Sequence, residues 1–244
     1  MAIVTNIPTD DSAIPGARNT QTPELNGVMH EHVYERLREA LMSGQLSPGR
    51  SLSMRGLAAE FGVSAMPARE AIRRLVAIGA MELTDTRRVT IAKMTVERLE
   101  EIRIARSALE PSLAERSLLQ VSGKTRSKKR LIADLKKIDE QLNAAIHEGS
   151  VTDYAKYNSE FHFTLYRASD ASVLLGLVES LWLQIGPFMR IVVGRLGTTC
   201  LTDDQHPDII AAVEDEDPKR LKAAVRADIL QGMNNINADD FDAL

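Results

Sequence analysis

Cysteine is almost absent from this 244-residue chain, with Cys200 the single example. One thiol excludes an intrachain disulfide framework and fits a reducing compartment, so the cytoplasm is the expected location. Aromatic residues make up 4% of the sequence, while hydrophobic residues in all make up 44%. A core so poor in rings rests on Leu, Ile, Val and Ala, which suits helix packed on helix better than a β-sandwich. Apolar runs never approach the ~20 residues that a membrane span requires, and no membrane partner is expected. Residues 1–28 lack a basic stretch followed by an apolar one. Their Pro, Thr, Asn and Asp content reads as a flexible tail, not a secretory signal.

Charge is unevenly spread. The formal net charge is −4, yet residues 29–93 hold ten Lys or Arg against seven acids. The segments on either side are both acidic. The only cationic section is therefore short and lies ahead of an acidic body, a distribution compatible with a nucleic-acid reader.

Residues 29–42 place Val33, Leu37, Ala40 and Leu41 on one helical stripe. Breakers follow at Gly44, Pro48 and Gly49. Ser53 is placed to cap a short helix with Leu57, Ala58 and Phe61 inward. After Gly62, Ser64 is placed to cap a second helix with Pro67 near its first turn. Two short helices joined by a tight glycine turn make a helix-turn-helix. Beyond Gly79 the sequence alternates into two short strands around Asp85–Arg88, the wing. From Thr95 onward no strand pattern survives. Six helical segments are expected, the first bent at Pro111 and the fourth interrupted at Gly186–Pro187. The expected architecture is mostly α: tail 1–28, winged helix-turn-helix 29–93, and an all-α bundle over 95–235.

The residues Gly44, Leu46, Pro48, Gly49, Leu57, Ala58, Gly62, Val63, Ser64, Arg69, Glu70 and Ala71 stand in a fixed order that resembles the GntR family of bacterial transcription factors. The resemblance implies DNA binding through the second short helix, whose N-terminal residues meet base edges in the major groove. Ser64 and the free N–H groups beside it suit a phosphate oxygen. Arg69 is placed to offer two donors to guanine, and Arg55 matches a family DNA contact. Arg73 and Arg74 are candidate backbone contacts, unless one of them forms a salt bridge to Glu70. Two departures from the family pattern concern specificity. Ala65, followed by Met66, stands where Arg is common, which exchanges a guanine contact for apolar contact with a thymine methyl. The wing carries Arg87 and Arg88 where glycine is usual, placing cations at the minor groove or phosphates.

The helical region resembles the ligand-binding (FCD) domain of the FadR branch of that family, through Arg106-Ser107-Ala108-Leu109-Glu110 and Phe161-His162. The resemblance implies a divalent metal, Zn, Ni, Mn or Fe, held by Asn158, His162, His206 and Asp228. Asp228 replaces the family's third His, and two imidazoles, a carboxylate and an amide oxygen remain a workable set. A small organic acid is the implied effector, with Arg106 and Arg190 as candidate carboxylate clamps and Trp182 a candidate cavity wall. The expected whole is a homodimeric, metabolite-responsive repressor on double-stranded operator DNA, not an enzyme. Two rivals are a regulator whose bundle is only a dimerisation scaffold, and a metal-dependent enzyme built on His162, His206 and Asp228.

Overall fold

The computed structural model describes residues 23–236 except 47, 49, 50, 61, 87 and 197–204, and within that span all side chains except those of 23–30, 52 and 189–196. Helix α1 runs Pro23–Met42. It starts six residues before the expected boundary at 29: Pro23 sits at the first helical position, where its missing N–H costs nothing. Its inward stripe of Val33, Leu37, Ala40 and Leu41 is buried, as the spacing predicts. Strand β1 (Leu52–Ser53), helix α2 (Met54–Glu60) and helix α3 (Ala65–Ala77) follow. The turn between α2 and α3 needs a left-handed residue, and Gly62 supplies it at φ 63. There Val63 N–H returns to the Ala58 carbonyl at 2.9 Å, satisfying an orphan acceptor at the helix end.

Strands β2 (Met81–Leu83) and β3 (Arg88–Ile91) form the wing. The sheet has three strands in the order β1-β3-β2, with Leu52 opposite Val89 and Met81 opposite Ile91. The first of these strands was not expected. Two residues are too few to show an alternating pattern, and pairing alone defines them.

Six helices make the bundle: α4 (Val96–Val121), α5 (Thr125–Glu148), α6 (Val151–Arg167), α7 (Ser172–Leu196), α8 (His206–Glu214) and α9 (Pro218–Asn234). The expected interruption at Gly186–Pro187 does not occur, and α7 is continuous through both residues. Helix α4 likewise runs on through Pro111. A proline here leaves the carbonyl four residues back without its helical donor. That carbonyl belongs to Ser107, and Arg226 on α9 donates to it at 3.2 Å. Asp217 caps α9, accepting from the backbone N–H of Lys219 and Arg220 at 3.0 Å each.

Head and bundle pack closely because Gly186 has no side chain. A Cβ there would stand 2.8 Å from the Leu41 carbonyl oxygen and 3.0 Å from Met42 Cα, both backbone atoms that cannot rotate away. Gly186→Ala is expected to cost about 1–3 kcal/mol by overpacking, read as a lower urea midpoint at unchanged m. An unshifted midpoint would show that α1 and α7 separate freely.

Candidate nucleic-acid interface and buried polar centre

On the head, α3 is amphipathic. Pro67, Ala68, Ala71, Ile72 and Leu75 are buried against the rest of the head. Ser64, Ala65, Met66 and Arg69 face solvent, and Met66 is 68% exposed, an unusual position for a large apolar side chain. Ser64 is the N-cap with extended backbone, but its hydroxyl makes no capping bond. The cap position expected for it holds, while its side chain stays outside the helix's own bonding. Arg55 on α2 is exposed as well.

Other head arginines are committed within the chain. Arg74 donates to Glu31 at 2.8 Å and lies 3.7 Å above the centre of the Tyr34 ring, so it clamps α3 to α1. Arg88 donates to the Ser51 hydroxyl at 2.9 Å and to its carbonyl at 2.6 Å, bracing the wing against the strand beside it. Arg73 pairs with Glu70 at 3.3 Å. Arg87 lies outside the described residues. Arg98, in the first turn of α4, donates through one Nη2 to the Gly79 carbonyl at 2.6 Å and to Gln184 on α7 at 2.8 Å.

Inside the bundle a chain of polar side chains crosses the core. Arg106 and Glu110, one turn apart on α4, are 5% and 0% exposed. They are joined at 2.5 Å between Nε and Oε1. Glu110 also accepts from the Trp182 indole N–H at 3.1 Å and the Tyr166 hydroxyl at 2.8 Å. The Arg106 guanidinium carbon lies 4.4 Å from the Trp182 ring centre. Burial works against the charge of Arg106, and Glu110 more than restores it. Burial and the neighbouring Glu110 push the Tyr166 phenol well above its usual range, which keeps it a neutral donor.

The chain continues from Tyr166 to His162 Nδ1 at 3.3 Å. His162 Nε2 then faces two groups, Asp228 Oδ2 at 3.0 Å and His206 Nε2 at 3.4 Å. His206 Nε2 is 3.9 Å from Asp228 Oδ1, and its Nδ1 meets Asp139 on α5 at 3.2 Å. Both histidines are essentially inaccessible, at 0% and 1%. Burial opposes ionisation of Asp228, but the facing His162, His206 and Arg106 prevail and bring its carboxyl down to about 2.

His162, His206 and Asp228 thus converge, each offering one ligand atom within 4.8 Å of the others. Four ligands at about 2.0–2.1 Å from a tetrahedral cation stand roughly 3.3–3.4 Å apart, so these separations are of the right size for a metal. The donor set fits as well, because the Asp139 contact to Nδ1 orients the His206 ring with Nε2 inward. Asn158 lies one turn before His162 on α6 and is half-buried. Asp139 is the residue that sequence reasoning missed. The Arg190 side chain lies outside the described residues. Trp182 stands at the centre of the network and is 5% exposed.

A winged helix-turn-helix with a solvent-facing second helix, joined to an all-α bundle, is the architecture of a DNA-binding transcriptional regulator. The chain belongs to the GntR family of bacterial regulatory proteins: that family's profile matches residues 29–91, and the FCD domain profile matches residues 101–231. It is 25% identical over 197 residues to the HTH-type transcriptional regulator McbR of Escherichia coli, covering 80% of this chain and 86% of that protein. It is 27% identical over 206 residues to the gluconate operon transcriptional repressor of Bacillus subtilis, covering 84% and 79%. The solved structure of E. coli McbR/YncC shares the fold at a TM-score of 0.77 with 23% identity, over 84% of this chain and 95% of that one. A putative GntR regulator from Rhodococcus shares it at 0.65 with 17% identity, over 85% and 96%. Among the described residues no helix is long and apolar enough to cross a membrane.

Proposed function

We propose that this regulator is a homodimeric repressor whose operator affinity responds to a small organic acid bound in the helical bundle beside a divalent cation. The convergence of His162, His206 and Asp228 on one buried point carries the effector half of that reading. Those three residues, with Asn158 one turn away, would hold the cation, Zn, Ni, Mn or Fe. A metal there supplies open coordination positions for a carboxylate oxygen. Asp139 and Tyr166 hold the outward nitrogens of the two histidines and so fix which nitrogen faces inward. Arg106 is already neutralised by Glu110. An acid reaching it meets a filled clamp, which leaves the metal-facing residues as the main anchor. Gluconate, a hydroxylated carboxylate, is named for the B. subtilis relative's operon, which supports an acid of that general class. A bound ligand that shifts the bundle would alter the placement of the heads.

For the head, the proposed reading face is Arg55, Ser64, Ala65, Met66 and Arg69. Arg74 serves chiefly to hold α3 on α1, and Arg87 with Arg88 forms the wing. Arg69→Ala is expected to weaken operator binding by about 1–3 kcal/mol and relax base preference at one position per half-site. The measurement is a titration at fixed salt, repeated at several salt concentrations. A changed salt slope with unchanged preference would make Arg69 a phosphate contact. Unaltered affinity and preference would remove it from the interface.

A further inference from the structure

A cleft of about 530 Å³ separates the end of α1 from α6, away from the His–Asp centre. Arg38 and Ser43 line it from the head, and Lys156, Ser159, Phe163 and Arg167 line it from the bundle. Its floor is the Phe163 ring, which is 2% exposed. Two guanidiniums flank that ring, with Arg38 5.8 Å and Arg167 5.4 Å from its centre. Their separation therefore cannot exceed the sum of those distances.

The two arginines differ in one respect. Arg38 is held by Glu179 on α7 and by Glu35 at 3.3 Å, so its charge is answered. Arg167 makes no direct ion pair or hydrogen bond among the described residues. It is exposed on one side, lies over the Phe163 ring, and sits in the last turn of α6, where the helix dipole favours a cation. Burial and the like charge of Arg38 press against its ionisation, and Glu179, Glu35 and Glu160 offset them only in part and at longer range. Glu39 and Glu160 stand on the rim, and neither reaches Arg167 closely enough to form an ion pair. The cleft thus holds two solvent-facing cations, Arg167 and Lys156, with no carboxylate paired directly to Arg167, and two buried serines, Ser43 and Ser159, at its wall.

We propose that this cleft is a second anion site, distinct from the bundle's His–Asp centre, which takes a small doubly charged oxyanion, a phosphate ester or a dicarboxylate, between Arg167, Lys156 and Arg38. Such an anion relieves the repulsion across Phe163 and accepts charge-assisted hydrogen bonds from both sides. Because α1 belongs to the head and α6 to the bundle, the bound anion joins the two across the cleft.

The test is isothermal titration of the full chain with inorganic phosphate and, separately, with succinate. Chelator is present throughout, so that the His–Asp centre takes no part, and ionic strength is held constant with chloride. Saturable binding of at least one of the two is expected, and whichever binds more tightly identifies the class. Arg167→Gln and Lys156→Gln should each weaken binding roughly tenfold or more, the loss of one charge-assisted contact. Arg167→Lys should recover part of the loss, and His162→Ala should leave binding unchanged. No saturable binding of either probe overturns the proposal. So does binding indifferent to Arg167→Gln and Lys156→Gln, or binding abolished by His162→Ala, which would assign the anion to the bundle centre instead.

Discussion

Glu110→Ala is expected to lower stability by about 3–5 kcal/mol, the cost of leaving a buried charge without its partner. The carboxylate is the common acceptor for the Arg106 guanidinium, the Trp182 indole and the Tyr166 hydroxyl, all in the interior. Removing it strands three donors at once. For a chain of this size the loss corresponds to a fall in Tm on the order of 10 °C. Glu110→Gln keeps one acceptor oxygen but surrenders the charge, and should fall between wild type and Glu110→Ala. The double change Arg106→Met with Glu110→Leu should be less harmful than either single change, because no charge is then stranded. A loss below about 1 kcal/mol for Glu110→Ala would mean that water enters and solvates Arg106.

The second large effect concerns metal. Protein stripped with chelator and then given Zn at one hundred times its dissociation constant should gain about 2.7 kcal/mol by mass action. The gain is read as a rise in Tm, with bound metal counted by elemental analysis. His162→Ala should abolish both the uptake and the rise. Asp139→Asn should weaken uptake by about 10–100-fold while leaving the three facing ligands in place, since Asp139 acts only by orienting His206. Protein that takes up no metal and gains no stability would leave the bundle as a dimerisation scaffold with a hydrogen-bonded His–Asp cluster.

The fold was legible wherever local periodicity or backbone freedom determines it. The buried stripe of α1, the left-handed turn at Gly62 and the cap at Asp217 depend on residues within one helical turn of each other. The His–His–Asp convergence was legible because a family resemblance supplied the register between distant helices. Asp139 was not: it sits 67 residues from His206 and joins it only after α5 and α8 have packed. The commitment of Arg106 to Glu110 was hidden for a different reason. A pair of opposite charges one turn apart is the commonest solvated arrangement on a helix, and only burial turns it into an internal ion pair. Arg74 read as a phosphate contact because its ties to Glu31 and Tyr34 are tertiary. The continuity of α7 through Pro187 was missed because proline and glycine break isolated helices, whereas here the close approach of α1 at Gly186 packs α7 in place.

The single Nη2 of Arg98 bridges the last carbonyl after the recognition helix and the side-chain amide of Gln184 on α7. Three rods, α3, α4 and α7, therefore meet at one pivot, and the pivot lies at the end of α3 remote from Ser64 and Arg69. A movement of α7 that keeps both of these bonds would draw the tail of α3 with it. Steering from the tail changes the bearing of the recognition helix and leaves its tip undeformed. In the proposed homodimer, two half-sites would be sensitive to that bearing, since both tips have to arrive one helical turn of DNA apart.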